Sequence, residues 1–238
     1  VAEARARVEV LVEHALGSGL HVPVIEVFAG TTASVSLTHV VRGEGGHAVV
    51  RIAGDVGRDA RIDVRSFVLG GSIVRVELTS TGQARGTLDA RGLVLGRGTQ
   101  HADHHLELQH ASPGMASHQL FRNILDDRAR AVFTGQVTVA PGVTGTEATQ
   151  QANTLLLADG ASAVVRPWLQ IDNDEVVASH GATVGRLDDE ALFYLRQRGL
   201  TVSEASRLLT GAFASEVVAS VPDAFREELQ AAVDAWLA

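Results

Sequence analysis

Pro167 to Gly199, PWLQIDNDEVVASHGATVGRLDDEALFYLRQRG, changes character halfway along. Its first half is strand-like: Trp168, Gln170 and Asp172 alternate with Leu169 and Ile171, and after Asn173-Asp174 the run Val176-Val177-Ala178-Ser179-His180 resumes the same two-residue period. That run delivers His180 to one face of a sheet. Gly181 and Gly185 supply the backbone freedom for a turn. Leu187-Asp188-Asp189-Glu190 then opens a helix with carboxylates in its first turn, arginines in its last and Gly199 as its stop. A sheet-like body over 1–187 therefore hands over to a helical region over 188–238.

Toward the N-terminus the same period recurs in short pieces. RVEVLVEH, PVIEVFAG, ASVSLTHVV, HAVVRIAG, RIDVRSFVLGG and SIVRVELTS run from Arg7 to Ser80, and ARGTLDARGLVLG, HADHHLELQH, SHQLFRNIL and RAVFTGQVTVA continue to about Val139. Each is of strand length, and most are punctuated by Gly, Ser or Thr. Aromatic residues make up only 4% and there are 24 glycines, a balance that favours β-branched strands joined by tight turns over large helical packing. No long helix separates the strands, which argues against a doubly wound sheet. The spacing is near-regular without a residue-by-residue repeat, so the pattern admits an irregular solenoid or a sandwich.

Toward the C-terminus the pattern predicts three helices. After ALFYLRQRG, Thr201-Val202-Ser203-Glu204 is a capping sequence, followed at helical spacing by Ala205, Leu208, Leu209, Ala212, Phe213 and Val217. Pro222 opens the last helix, where Phe225, Leu229, Ala232, Val233 and Trp236 recur every three or four residues.

A formal net charge of −8 over 238 residues offers no basic surface for nucleic acid. No apolar run approaches the ~20 residues needed to span a bilayer, and no secretory leader opens the sequence, so the cytoplasm is the expected compartment. Opening on Val1 rather than Met is what a trimmed or fragmentary product would show. Zero cysteines exclude disulfides and thiolate metal ligation by this chain. No glycine loop with a following Lys is present to cradle a nucleotide phosphate.

Three constellations carry chemistry. In His101-Ala102-Asp103-His104-His105, with His110 and His118 following, His101, Asp103 and His105 share one strand face and are candidate ligands for zinc or iron. His180 is a second candidate metal ligand. The acidic set Asp172, Asp174, Glu175, Asp188, Asp189 and Glu190 reads as a turn followed by a helix N-terminus rather than as an acid/base pair.

The string SHGATVGRLDDEALFYLRQRGL is similar to the C-terminal signature of the SufB/SufD family, the scaffold proteins of the SUF iron–sulfur cluster assembly system, and resembles its SufD branch in particular. Ser117 and Gln119 before FRNIL, Phe133-Thr134-Gly135-Gln136-Val137, Gln150/Gln151 to Asn153, Pro167-x-Leu169-x-Ile171 and EASRLLTGAFASEVV agree with it in order. The resemblance covers the last half of the chain strongly and the first half by pattern. It implies a mainly β fold, a right-handed parallel β-helix core whose ends are covered by helical segments, with a C-terminal helical region. It also implies an additional N-terminal region in full-length members.

The function implied is that of a non-enzymatic SufD-like scaffold subunit of the SufBCD complex. Such a subunit pairs with a SufB-type paralogue through the last strands and docks a SufC-type ATPase through helices carrying Phe193, Tyr194, Leu208, Leu209 and Phe213. His180 would then lie at the interface where a nascent iron–sulfur cluster is shared with the partner subunit, and no cofactor would be tightly held by this chain alone. Many relatives carry Cys two residues before that His; here Ala178 stands there, so any thiolate would come from another subunit. In isolation the edge around Val176 to His180 would pair with its own copy as a homodimer. Flavin binding is left open by the resemblance. Other readings of a β-helix are a polysaccharide-processing enzyme using carboxylates, against which two Trp and one Tyr argue, and a purely structural dimeric solenoid.

Overall fold

The computed structural model describes residues 1–238. The chain forms β1 (Arg7–Ala15), β2 (Leu20–His21), β3 (Val24–Ala29), β4 (Ser34–Arg42), β5 (His47–Val56), β6 (Arg61–Val68) and β7 (Ile73–Gly82). It continues through β8 (Thr87–Gly96), β9 (His101–His110), β10 (Ala116–Leu125), β11 (Arg130–Val139), β12 (Thr146–Leu156), β13 (Ser162–Ile171) and β14 (Val176–Gly185). The helices α1 (Asp189–Gln197), α2 (Val202–Val218) and α3 (Asp223–Leu237) complete it.

Strands alternate between two sheets. One sheet runs β1-β4-β6-β8-β10-β12-β14 and the other β13-β11-β9-β7-β5, with β2 and β3 both pairing β5. Pairing is parallel throughout, as between Leu37 and Val64 or Gln119 and Gln150. The result is a β-solenoid of about six turns, not a sandwich of antiparallel hairpins. Alternate side chains of every strand enter the space between the sheets, so Val50, Val76, His104 and Phe133 form one inner row and Ile62, Leu88 and Ser117 another.

Each turn needs corners. At one of them Arg5, Thr32, Asp59 and Arg85 all take left-handed backbone (φ 67°, 59°, 54° and 58°), followed by Gly114 at 71°. These residues stack, each donating its N–H to the corner of the next turn: Thr32 to the Arg58 carbonyl at 2.9 Å, Asp59 to Ala84 at 3.1 Å, Arg85 to Pro113 at 3.1 Å. Glycine is therefore not the general corner marker that the composition indicates; the repeating backbone bond holds ordinary residues there. Glycine is required where backbones must be approached closely inside. A Cβ on Gly92 would lie 2.4 Å from the Phe121 ring, and one on Gly135 would lie 3.0 Å from the side-chain amides of both Gln119 and Gln150.

The helices do not cover an end of the solenoid, as the family resemblance implies, but lie along one side. Ala214, Val217, Val218, Val221, Leu229 and Val233 pack onto Val40, Phe67, Leu93, Leu95, Leu120 and Ile124, the outer side of the β4-β6-β8-β10 sheet. Strands β6 and β8 are thus buried on both faces, polar residues such as Arg65, Ser66 and Asp89 included. Polar contacts edge the seam: Arg42 donates to Glu228 at 2.7 Å, Arg65 to the Ser220 carbonyl at 3.1 Å, and the Arg97 guanidinium lies 4.2 Å from the Trp236 ring. Arg65, itself buried, also meets Asp89 at 2.8 Å and Asp63 at 3.2 Å.

Helix ends follow the sequence. Asp188 caps α1 by accepting from the Glu190 N–H at 2.9 Å, Gly199 turns left-handed after it, and Thr201 with Glu204 closes a capping box on α2. No helix is long and apolar enough to cross a membrane.

Candidate functional site

The last turn is built from β13 and β14, and each has only one neighbour: β13 pairs β11, and β14 pairs β12. The free edges of both strands are open for hydrogen bonding. Gly181 does not turn the chain; it pairs with Gln151 within β14, which runs to Gly185 before the handover to α1. Trp168, Val177 and Val184 are exposed on this turn, Trp168 at 61%.

His180 lies in the middle of β14, in register with Gln150. In-register parallel strands point paired side chains the same way, and Gln150 is wholly interior. His180 therefore belongs to the inner column of the solenoid and is exposed because no further turn covers it. It is presented from the open end, not from a side wall.

The other histidines are dispersed. His101, Asp103 and His105 do lie on one outer face of β9, but Asp103 is taken by Arg75 at 2.6 Å and His105 lies 3.1 Å from Glu107. His104 and His110, which the sequence groups with them, turn inward. His104 Nε2 bonds the Ser66 hydroxyl at 2.9 Å, which in turn lies 3.3 Å from His39 Nδ1, and His110 Nε2 bonds Ser117 at 2.8 Å. Burial pushes His104 and His110 down to about 4. Burial, with repulsion from His14 and His104, pushes His39 down to about 3. These imidazoles are neutral structural groups at physiological pH. Nowhere do three or more His, Asp or Glu side chains converge in a metal-binding arrangement. Of the acidic set, Asp188 caps α1 and Asp189 and Glu190 fill its first turn.

Along the helical region, Phe193 (61% exposed), Tyr194 (54%) and Leu208 (54%) present apolar surface to solvent. Leu209 is half-buried, and Phe213 packs into the helix–sheet seam with the Arg122 guanidinium 4.9 Å from its ring. The apolar helical stripe thus divides: Phe213 holds the helix to the sheet, and the first three remain available. Gln119 and Gln150 line the inner column beneath His180. Their spacing of one solenoid turn was the signal for it, visible once the turn length is known.

The model of the family described as "SUF system FeS cluster assembly, SufBD core domain" matches residues 1–213. The chain belongs to the SufB/SufD family. It is 36% identical over 166 residues to the iron–sulfur cluster assembly protein SufD of Escherichia coli, covering 69% of this chain and 39% of that protein. It is 31% identical over 200 residues to SufD of Bacillus subtilis, covering 83% and 46%. A SufBD family protein of Mycobacterium tuberculosis is 35% identical over 193 residues, covering 75% and 48%. These matches place the chain on the SufD branch, and it spans less than half the length of each of these SufB/SufD relatives.

Proposed function

We propose that this chain is the core of a SufD-like scaffold subunit in iron–sulfur cluster assembly and performs no catalysis of its own. The observation that carries the reading is the open last turn: β13 and β14 each offer an unpaired edge, with His180 presented from the interior between them. A SufB-type subunit with a matching open turn would continue the sheets across the junction, and backbone pairing there would bury Val184, which faces inward in register with Thr154. In isolation a second copy of this chain would take that place.

His180 would meet the nascent cluster at the junction. A neutral imidazole is a competent iron ligand, and because the chain has no cysteine, thiolate ligands would come from the partner. The exposed Phe193, Tyr194 and Leu208 would dock a SufC-type ATPase, whose movement would reach the junction through the short Arg186-Leu187-Asp188 link between β14 and α1. His101, Asp103 and His105 remain a secondary candidate for transient iron, weakened by the Arg75 contact.

The test is reconstitution of the full-length protein with its co-purifying partners, iron and sulfide, followed by visible absorption. His180→Ala is expected to leave complex assembly intact and reduce cluster yield, while His101→Ala and His105→Ala leave the yield unchanged. Equal yield in wild type and His180→Ala, with equal assembly, would remove His180 from the mechanism.

A further inference from the structure

Leu37, Val64, Ala90, Gln119, Gln150 and His180 form one inner column through six successive strands of the β4-to-β14 sheet. Its first three members are apolar and its last three polar. Gln119 and Gln150 are 3% and 1% exposed, and Gln150 Nε2 donates to Gln119 Oε1 at 3.1 Å. Gly135, opposite, leaves room for both amides, since a Cβ there would crowd them at 3.0 Å.

This pairing orients Gln150. With its amide nitrogen turned back to the preceding turn, its Oε1 is buried and, like Gln119 Nε2 at the other end of the pair, without a hydrogen-bond partner. A buried acceptor without a donor is unfavourable and rare. The next side chain in the column is His180, one strand spacing of about 4.8 Å away, within reach of a long amide and an imidazole.

We propose that Gln150 is a positioning residue for His180. Its Oε1 accepts the ring N–H of His180, which fixes one neutral tautomer and turns the lone pair of the other ring nitrogen outward across the open end. Gln119 acts behind it by setting which end of the Gln150 amide faces the histidine. Fixing a metal-binding imidazole through its second nitrogen is a general device. The inference rests on the reading of His180 as a cluster-facing group, and its test separates the two.

Long-range proton–nitrogen correlation spectra of the labelled chain above pH 8 report the tautomer ratio of each imidazole, with His180 assigned by His180→Ala. His47, exposed and without side-chain hydrogen bonds, serves as the internal reference. The ratio for His180 is expected to differ from that of His47 by about fivefold, the factor one hydrogen bond of ordinary net strength produces. Gln150→Leu should abolish the difference and Gln150→Glu, which keeps an acceptor, should retain it. A His180 ratio equal to that of His47 in the wild-type chain overturns the proposal, and that reading does not depend on any variant folding. So does an unchanged ratio in folded Gln150→Leu. If the ratio responds to Gln150 while His180→Ala leaves cluster yield unchanged, the contact stands and the role of His180 in assembly falls. If His180→Ala lowers yield while the ratio ignores Gln150, the contact falls and the role stands.

Discussion

Val40, Phe67, Leu93, Leu120 and Ile124 stand on the outer side of one sheet and are sealed beneath α2 and α3, whereas the opposite sheet turns Val49, Arg75, Thr79, Glu107 and Gln136 outward with no helix over them. Both sheets obey the same two-residue period and share one interior. What differs is whether the second face of each strand is also covered. β5, β7 and β11 alternate cleanly between buried and accessible positions, while β6 and β8 are buried at nearly every residue. A strand that loses its alternation in this fold reports a covering layer elsewhere in the chain.

The sharpest way to break this comparison is a charge on each face. Phe67→Asp puts an unpaired carboxylate into the helix–sheet seam and should cost about 4 kcal/mol or more, enough to abolish cooperative unfolding in urea or shift its midpoint far down. Thr79→Lys on the bare sheet, opposite Glu107, should stay within about 0.5 kcal/mol. Equal effects would mean that the helices are not docked as described.

Ion pairs sharpen the same contrast. Arg65 is buried with Asp89 beneath the α2–α3 turn, so Arg65→Ala removes a buried guanidinium that also holds the Ser220 carbonyl; Asp89 keeps Arg91 at 2.9 Å, and the loss should be about 2–3 kcal/mol. Arg75→Ala removes a half-exposed pair with Asp103 and Glu77 on the bare sheet and should cost about 1 kcal/mol or less by the same denaturation measurement.

The interior common to both sheets predicts a pH effect. His39 hangs from the covered sheet and His104 and His110 from the bare one, and all are held neutral, with proton affinities lowered from 6.5 to about 3, 4 and 4. Unfolded, they bind protons below about 6.5. Between pH 6.5 and about 4 the unfolded chain therefore holds more protons than the folded one, and stability falls as pH is lowered through that window. Urea midpoints at pH 7.5, 6 and 5 should decline in that order, and His104→Leu should flatten the decline. A pH-independent midpoint would show that these imidazoles are not buried neutral.

The smallest expected effect on stability belongs to the exposed helical patch. Phe193→Asp should leave the denaturation midpoint within about 0.5 kcal/mol while weakening affinity for a SufC-type ATPase tenfold or more in calorimetry. Unchanged affinity would make α1 and the exposed side of α2 plain surface.

Most of the solenoid is legible in the sequence, because inward Val, Leu and Ile alternate with polar residues along β4, β5, β7 and β11. The series breaks off after Val139, and β12 is where it fails. Its inner residues are Ala148, Gln150, Ala152 and Thr154, small or polar, so burial leaves no hydrophobic period to read. The chain's interior changes chemistry there, and the same change sets up the column under His180. His180 itself stands out by motif, but its inward orientation needed the strand register. Placing the helices at an end of the solenoid missed because the apolar outer stripe Val40, Phe67 and Leu93 comes from separate strands, and no single segment displays it.

That stripe also has a place in time. Arg42, at its beginning, meets Glu228 across 186 residues of chain, an interval a ribosome takes about 10–40 s to traverse. Through that interval the first strands of the stripe have emerged and their cover does not yet exist. The nascent chain carries an uncovered greasy flank beside a stack that can already form turn by turn from its earlier end. Completion of the fold is therefore a late, long-range closure, and chaperone engagement or aggregation during synthesis should concentrate on this flank rather than on the opposite sheet.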